Sequence, residues 1–422
     1  MKSTTPAPPP KLVKRPRPPL GLGRVLIGKE EEELVLDVIR RKEPFRYYGC
    51  GATMPPMAST LEKEFREMMG AKHALAVTSG TAALEVALGA LGIGPGDEVI
   101  VPAWSWDSCW TSVVRVGARP VLAEIDRTIC LDPSEIARLK TPRTRAVMVI
   151  HYQGVAADMD PICAEARKAG LKVIEDCAES PGAIYRGKRV GSIGDIGTYS
   201  FQHSKSMTSG EGGMVVTNDP RFYERAVRMH DLGLFRPYHE GLLKPSEPRF
   251  SGSQFRMSEL TAALALAQLR KLDGLRARCR AAQDRIMAKI RGLAGLEFRR
   301  IPDPSGDSAI EIYFWLKSPD MATRMVKALA EWNVPAVKTT GTNFHFLLDH
   351  CKTGRAHAPG ASPFADFKEW PAAGYRPGDF PRSEDLMGRY VGVQVGVLYS
   401  EEDADYLGDA IRFVHDELKL GA

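Results

Sequence analysis

The stretch that decides the fold runs from Gly191 to Asp219 and reads GSIGDIGTYSFQHSKSMTSGEGGMVVTND. Two short apolar segments, Gly197–Phe201 and Gly213–Thr217, flank a loop rich in serine and glycine, which predicts two strands joined by a polar loop. Because no helix fits between them, we expect at least one antiparallel pairing here. Lys205 lies in this loop, where burial would make its amine available to form a Schiff base; an ordinary loop lysine is the other interpretation.

Helix-like and strand-like segments alternate on the amino-terminal side of this stretch, which is typical of a mostly parallel sheet covered by helices. The expected strands are Ala74–Val77, Val99–Val101, Pro120–Ala123, Ala146–Ile150 and Lys172–Glu175. The expected helices are Ser59–Met69, Ala82–Leu91 and Pro161–Lys168. The sequence therefore predicts an α/β fold.

The carboxyl-terminal side has a different pattern. Apolar residues at helical spacing predict a long helix over Phe255–Arg280, and Thr339–Gly378 is expected to be a long loop region. Further short elements are expected at Leu296–Arg299, Ile310–Trp315, Ala322–Trp332 and Glu402–Leu418. We therefore predict a large domain over residues 24–275 and a smaller α+β domain over residues 276–422.

Composition places the chain among ordinary soluble globular proteins, with 44% apolar and 26% charged residues and a formal net charge of +5. Residues 1–23 are basic and rich in proline, and we expect a disordered tail there. No apolar run reaches the roughly 18 residues that a membrane span requires, and the basic tail alone does not indicate a nucleic-acid partner. The seven cysteines form no CxxC pair, so we expect a reducing cytoplasm and no metal site.

Asp176 follows Val173-Ile174-Glu175, at the carboxyl end of a predicted buried strand. Open α/β sheets bind their ligands at this edge. An ionised carboxylate opposite a pyridine nitrogen keeps that nitrogen protonated, which is the electron sink of pyridoxal-phosphate (PLP) chemistry. The alternative interpretation is that Asp176 only caps the following turn.

Two further motifs follow strands nearer the amino terminus. Thr78–Thr81 reads TSGT, a strand-to-helix turn whose amides, with the hydroxyls of Ser79 and Thr81, can bind phosphate; an ordinary helix cap is the alternative. Trp104 and Trp106 follow the next strand, where an indole can stack on a flat ring or pack in the core. The order of phosphate turn, aromatic residue, aspartate and lysine predicts a PLP enzyme.

With these motifs the sequence resembles the DegT/DnrJ/StrS family of sugar aminotransferases, which share the fold type I of PLP enzymes. The stretches that carry the resemblance, besides the one quoted first, are TSGTAALEVALGALGIGPGDEVIVPAWSW, VIEDCAESPGA and FRMSELTAALALAQLRKLD. They lie within roughly residues 25–275. The segments EPFRYYG, AEIDRTICLDP and IPDPSGDSA are similar to transaminases of amino-octulosonate and related sugars.

The resemblance implies an α/β/α sandwich with a smaller C-terminal α+β domain, working as a homodimer with shared active sites. It implies that Lys205 carries PLP as a Schiff base and moves protons, while Asp176 pairs with the pyridine nitrogen. It also implies an amino donor such as glutamate or glutamine and an acceptor such as a keto sugar or keto cyclitol. The remaining cofactor contacts it implies are Gly80, Thr81 and Ser200 at the phosphate and Trp106 on the ring.

Two positions differ from the family pattern. Relatives have Gln or His near the cofactor's phenolic oxygen, where this chain has Glu179. A carboxylate beside a phenolate is a like-charge pair, so we hypothesise that Glu179 alters the cofactor's ionisation or recognises a substrate amine or hydroxyl. Relatives also have Asn, reaching the partner subunit's phosphate, where this chain has Gln254.

Candidate substrate contacts are His203, Asn343 and His345, with His350 in the same segment; structural histidines and loop polarity are the alternatives. The segment Phe45-Arg46-Tyr47 either contacts substrate or packs across a dimer interface. Other PLP reactions on this scaffold are decarboxylation, elimination and oxidation, and a non-catalytic regulatory protein is a further alternative. The dehydrating relatives replace the lysine with histidine, so the lysine retained here favours transamination.

Overall fold

The computed structural model describes residues 12–47, 56–338, 343–364 and 374–421. Its strands are β1 (His73–Val77), β2 (Glu98–Pro102), β3 (Arg119–Ala123), β4 (Thr144–Ile150), β5 (Lys172–Asp176), β6 (Ile184–Tyr185), β7 (Lys188–Arg189), β8 (Ile196–Ser200), β9 (Gly213–Thr217), β10 (Glu297–Phe298), β11 (Glu311–Trp315), β12 (Ala336–Val337) and β13 (Tyr390–Gln394).

The helices alternate with these strands through the first half of the chain, as expected. They are α1 (Lys29–Arg41), α2 (Met57–Met69), α3 (Gly80–Ala90), α4 (Ser108–Arg115), α5 (Ser134–Leu139), α6 (Met159–Ala169), α7 (Pro220–His230), α8 (Pro237–Glu240), α9 (Glu259–Ile290), α10 (Pro319–Glu331), α11 (Asp349–Thr353), α12 (Pro381–Arg389) and α13 (Glu401–Glu417), with 3₁₀ turns at Gly23–Leu26, His345–Leu347 and Pro359–Ala361. Within the described ranges no helix is long and apolar enough to cross a membrane.

The main sheet has the strand order β1-β9-β8-β5-β4-β2-β3. The pairs from β8 to β3 are parallel, whereas β9 runs antiparallel to both β8 and β1, so the expected antiparallel pairing is confirmed. Because β1 therefore points the same way as the five parallel strands, its carboxyl end lies at the same edge as theirs. The strands are almost entirely buried, as in sheets covered by helices on both faces.

The long helix α9 joins the two hydrophobic clusters of the described chain. It begins four residues later and ends ten residues later than the predicted Phe255–Arg280. Its residues up to Leu272 pack in the cluster around the main sheet, and those from Leu275 onward pack in a second cluster. The second cluster surrounds an antiparallel sheet of order β10-β11-β13-β12. The expected boundary at residues 275 and 276 thus falls inside one continuous helix.

The amino-terminal segment differs in part from the expected disordered tail. Residues 1–11 lie outside the described residues, but residues 12–23 run along the second cluster, where Leu22 packs. Arg15 forms an ion pair of 3.1 Å with Glu402 on α13. This part of the segment therefore has specific partners on the carboxyl-terminal half of the chain.

The segment expected to be a long loop, residues 339–378, contains the short helix α11 and two 3₁₀ turns where it is described. Phe344 forms an isolated antiparallel bridge with Trp104, and the two rings meet edge to face at 4.8 Å. Farther along, the Tyr375 hydroxyl accepts a hydrogen bond of 2.9 Å from the Leu122 amide of β3. The segment therefore covers the outer edge of the main sheet.

Glu175 and Asp176 point to opposite faces at the end of β5, because side chains alternate along a strand. Glu175 lies away from the cavity described below and is fully buried. Its two oxygens accept hydrogen bonds of 2.5–2.9 Å from the ring of His151 and from the amides of Gly191, Ile193 and Gly194. This carboxylate therefore ties the turn before β8 to β5.

Replacing Glu175 by glutamine should lower the free energy of unfolding by about 2–4 kcal/mol, because the new amide places donors opposite buried donors. Chemical denaturation measures the loss. The matched control is Glu165→Gln on the more exposed surface of α6, where a change of at most about 0.5 kcal/mol is expected. Equal effects at the two positions would contradict this role for Glu175.

Candidate active site

A cavity of about 480 Å³ opens at the carboxyl edge of the main sheet. Its walls come from segments that directly follow β1, β2, β4, β5 and β8, as expected for ligand sites in open α/β sheets. The lining residues include Ser79, Gly80, Thr81, Trp106, Ser108, Cys109, Tyr152, Asp176, Glu179, Ser200, Gln202, Lys205, Glu211 and Asn343. The cavity thus brings together most of the site residues predicted from the sequence.

Lys205 reaches this cavity from the loop between β8 and β9. Backbone hydrogen bonds from Phe201 N to Gly212 O (2.8 Å) and from Ser209 N to Phe201 O (2.9 Å) close the base of the loop. The Lys205 side chain is mostly buried, and its Nζ lies 3.5 Å from Glu179 Oε1. The amine is therefore held on a constrained loop beside a carboxylate.

Asp176 is nearly buried, with 5% of its surface exposed. The Ala178 amide donates to its Oδ1 at 2.9 Å, and the Cys109 thiol donates to its Oδ2 at 3.3 Å. Burial raises the pKa of Asp176, while the two hydrogen bonds and the charge of Lys205 lower it. The carboxylate is thus costly to bury but has a donor for each oxygen.

The TSGT turn forms the start of α3, with Ser79 as its N-cap. The Ser79 hydroxyl accepts from the Ala82 amide at 3.0 Å, so the N-cap interpretation holds, while the first-turn amides of Gly80 and Thr81 have no intrahelical partner. A Cβ placed on Gly80 would lie 2.7 Å from Ser200 Cβ. This close approach leaves a small concavity of backbone amides and hydroxyls, an arrangement that can bind an anion.

The two tryptophans after β2 lie in different environments. Trp104 is 1% exposed and packs against Phe344 and Tyr390 in the core. Trp106 is 67% exposed and lines the cavity. Trp106 is therefore the indole available to a ring in the cavity.

The candidate substrate residues do not all reach the cavity. Asn343 lines it, whereas His203 is exposed and does not. His345 is fully buried outside the cavity, where its Nε2 bonds to Ser105 Oγ at 2.7 Å; the packing of Phe344 beside it draws it into the core, and the expectation of direct substrate contact is not supported. His350 bonds to Asp107 Oδ1 at 2.9 Å.

Gln254 is exposed and lies outside the cavity of its own chain, where its backbone forms an isolated antiparallel bridge with Asp231. The segment Phe45-Arg46-Tyr47 also lies elsewhere. Arg46 is buried in an ion pair with Glu62, and the Tyr47 hydroxyl contacts His239 Nε2 at 2.9 Å. The segment therefore packs within its own chain, and its packing across a dimer interface stays a prediction.

Acidic and phenolic groups cluster beside Glu179. Within the described residues its Oε2 is buried without a hydrogen-bond partner. Burial, together with the charge of Glu179, raises the pKa of Glu311 to about 8 and raises that of Tyr152 well above its ordinary value. The cavity wall around Glu179 therefore disfavours further negative charge.

Sequence reasoning missed several residues of the site. Tyr152 and Cys109 could have been found from their positions shortly after β4 and β2, at the edge where ligands bind. Glu311 comes from the second sheet, so no local pattern indicates its closeness to Glu179. The other lining residues that were missed include Ser108, Gln202 and Glu211.

Comparison with known proteins identifies the family. The model of the DegT/DnrJ/EryC1/StrS aminotransferase family matches residues 49–412. The chain belongs to this family. It is 33% identical over 397 residues to the spore coat polysaccharide biosynthesis protein SpsC of Bacillus subtilis (strain 168), covering 92% of this chain and 95% of SpsC.

Solved structures agree with this assignment. An aminotransferase from Psychrobacter cryohalolentis aligns with a TM-score of 0.78 and 27% identity, over 96% of this chain and all of the other. DesV of S. venezuelae aligns with a TM-score of 0.77 and 27% identity, over 94% and 98% of the two chains. Family members are PLP-dependent sugar aminotransferases, so the protein is an enzyme of this class with the expected fold.

The residues of the cavity fit PLP. Four groups face one space: a constrained lysine amine, a buried carboxylate, an exposed indole and a concavity of helix amides. In the same order they match the aldehyde, the pyridine nitrogen, the ring face and the phosphate of PLP. The close approach of Gly80 and Ser200 leaves room for an anion only when residue 80 has no side chain.

Gly80→Ala should weaken PLP binding about tenfold or more, because the added methyl displaces Ser200 and the amides that face the phosphate. Titration of cofactor-free protein with PLP measures the affinity. The control is Gly274→Ala in α9, where an added Cβ meets nothing within 4 Å. That variant should bind PLP normally and gain up to about 1 kcal/mol of stability, and equal affinities of the two variants would contradict the assignment.

Proposed function

We propose that the protein transfers an amino group from glutamate or glutamine to a keto sugar, keto cyclitol or related ketone, using PLP held covalently by Lys205. The observation that carries the proposal is the convergence of the Lys205 amine and the Asp176 carboxylate on one cavity beside the amides of α3. The family, with relatives such as SpsC, supports amino transfer in sugar biosynthesis.

Each group in the cavity has a role in this reaction. When bound, PLP supplies an electron sink that makes a proton on the adjacent substrate carbon acidic. Asp176 would hold the pyridine nitrogen protonated, Trp106 would cover the ring, and the phosphate would bind at Ser79, Gly80, Thr81 and Ser200. These contacts fix the plane in which the reaction occurs.

Lys205 would carry the protons. Once the donor amine has displaced it, Nζ is free to remove the proton from the donor's α-carbon and, in the second half-reaction, to deliver one to the acceptor carbon. Glu179 Oε1 lies 3.5 Å from Nζ and can pair with its ammonium form. We infer that this pairing keeps the moving proton next to the reacting carbons.

The amino acceptor would contact a polar part of the cavity wall that has no arginine among its described residues. Among the described lining residues Lys205 is the one basic side chain, and the amides of Gln202 and Asn343 accompany several hydroxyls. Hydroxyl-rich, uncharged rings suit such a wall because each amide can both donate and accept. Asn343 is therefore our strongest candidate for a substrate contact.

A homodimer would complete the site, with Gln254 of one chain near the cofactor phosphate of the other and His203 near the shared substrate entrance. The exposure of both side chains is compatible with contacts that one chain cannot make alone. We propose the cytoplasm as the compartment, since the buried cysteines among the described residues are all unpaired thiols.

A half-reaction tests the proposal. Glutamate or glutamine added to PLP-loaded enzyme should convert the absorbance of the lysine-bound cofactor to that of pyridoxamine phosphate and release the oxo acid, and a keto sugar or keto cyclitol should reverse the change. Lys205→Ala should lose at least about a hundredfold in rate. Lys188→Ala, at an exposed lysine on β7, is the control. Failure of every amino donor to convert the wild type would contradict amino transfer.

A further inference from the structure

Three side chains with metal-binding atoms meet near the cavity, at the contact between α4 and α11. They are Asp107, which directly precedes α4, and His350 and Cys351, which lie in α11. One carboxylate oxygen, one ring nitrogen and the sulfur all lie within 4.8 Å of one another. Asp107 stands between Trp106 and Ser108, which line the cavity, whereas none of the three residues lines it. The cluster is therefore separate from the proposed cofactor site.

The members of this cluster are not fully occupied by other contacts. Asp107 takes the N-cap position of α4, but its carboxylate makes no capping hydrogen bond there. Its Oδ1 lies 2.9 Å from His350 Nε2, and this contact holds the two side chains together. Cys351 is only 2% exposed, and within the described ranges its thiol is unpaired and has no hydrogen-bond partner. A buried sulfur thus faces a carboxylate and an imidazole without bonding to either.

A second group of the same residue types shows the opposite case. It consists of His151, Glu175 and Cys177, all buried. The Ala157 amide donates to His151 Nδ1 at 3.0 Å, so the ring hydrogen is on Nε2 and is donated to Glu175. The two Glu175 oxygens also accept hydrogen bonds from three backbone amides. Because His151 has no lone pair left, this second group holds the fold together and offers no metal site.

The atoms of the first cluster suit zinc better than other common metal ions. Zn²⁺ binds thiolate, imidazole and carboxylate, whereas Mg²⁺ and Ca²⁺ prefer oxygen ligands alone. Such ligands lie about 3.3–3.6 Å apart around a tetrahedral zinc ion, so movements of about 1 Å are enough to form the site. The side chains of His350 and Asp107 are 40% and 43% exposed, so water can reach the fourth position.

We propose that Asp107, His350 and Cys351 bind one zinc ion together with a water molecule. The Cys351 thiol gives up its proton to water as the sulfur binds the metal. The ion joins the start of α4 to α11, and so restrains the segment that begins at Asn343 in the cavity wall. The sequence predicts no metal site because it has no CxxC pair, but the ligands Asp107 and His350 are 243 positions apart, which no local spacing indicates.

Metal binding by the full-length protein tests the site, with Co²⁺ as a coloured substitute for Zn²⁺. The wild type should bind about one Co²⁺ per chain and show the visible bands of four-coordinate cobalt together with a sulfur-to-cobalt band. Cys351→Ser should lose the sulfur-to-cobalt band. The matched control is Cys163→Ser, at a partly buried thiol of α6 outside the cluster, which should keep it.

A second variant serves if Cys351→Ser folds poorly. His350→Gln changes a side chain that is 40% exposed, so the fold should tolerate it. It should weaken Zn²⁺ binding at least about a hundredfold, since even the loss of an outer-shell partner costs about 10–100-fold. His357→Gln, at an exposed histidine farther along the same segment, should keep the wild-type affinity. Competition with a coloured zinc chelator measures both affinities.

Hydrogen exchange measures the restraint on α11. Saturating Zn²⁺ should slow amide exchange in α11 of the wild type but not of Cys351→Ser, because the ion adds bonds between α11 and α4. Exchange in wild-type α11 that is unaffected by saturating Zn²⁺ would contradict the restraint.

The site itself would be overturned if the wild type bound neither ion stoichiometrically. Identical cobalt spectra of Cys351→Ser and Cys163→Ser would also overturn it, as would equal zinc affinities of His350→Gln and His357→Gln. None of these measurements uses an amino donor or an acceptor. The zinc site and the proposed amino transfer can therefore fail separately.

Discussion

The pairing of β9 with both β1 and β8 holds the two ends of the Lys205 loop at the edge where β5 ends. A Cβ on Gly213, the first residue of β9, would lie 2.4 Å from the backbone oxygen of Ser79. The same pairing therefore brings the end of the Lys205 loop into close contact with the turn that begins α3. Neither the amine nor the amides could face the same cavity if β9 were displaced. The antiparallel strand within an otherwise parallel sheet is thus what assembles the site.

Burial of Asp176 is the second constraint on the site. Burial removes water from the Asp176 carboxylate, which raises its pKa and favours the neutral acid. Hydrogen bonds from a backbone amide and a thiol, together with a nearby ammonium group, act in the opposite direction. A neutral acid would not hold a pyridine nitrogen protonated. The hydrogen-bond donors to Asp176 are therefore as necessary for the reaction as the carboxylate itself, because they favour its ionised form.

Local patterns in the sequence predicted the strands of the main sheet, the loop of Lys205 and the ligand edge, since each depends on residues close together in the chain. Contacts between distant segments were not predictable in this way. Trp104 and Trp106 lie two residues apart in the sequence, and only the packing of Phe344 places the first in the core. His345 likewise reads as a loop histidine until its segment is brought beside Ser105. The domain limits, the contact of Gln254 with a partner subunit and the Arg15–Glu402 ion pair also depend on segments that are distant in the chain.

The most direct test of the account is to identify the residue that carries the cofactor. Borohydride reduction of the PLP-loaded protein, followed by proteolysis and mass spectrometry, should find the pyridoxyl group on the peptide that contains Lys205, and Asp176→Asn should reduce its yield at limiting PLP. Modification of a different lysine, or of none at saturating PLP, would contradict the assignment of this cavity as the active site.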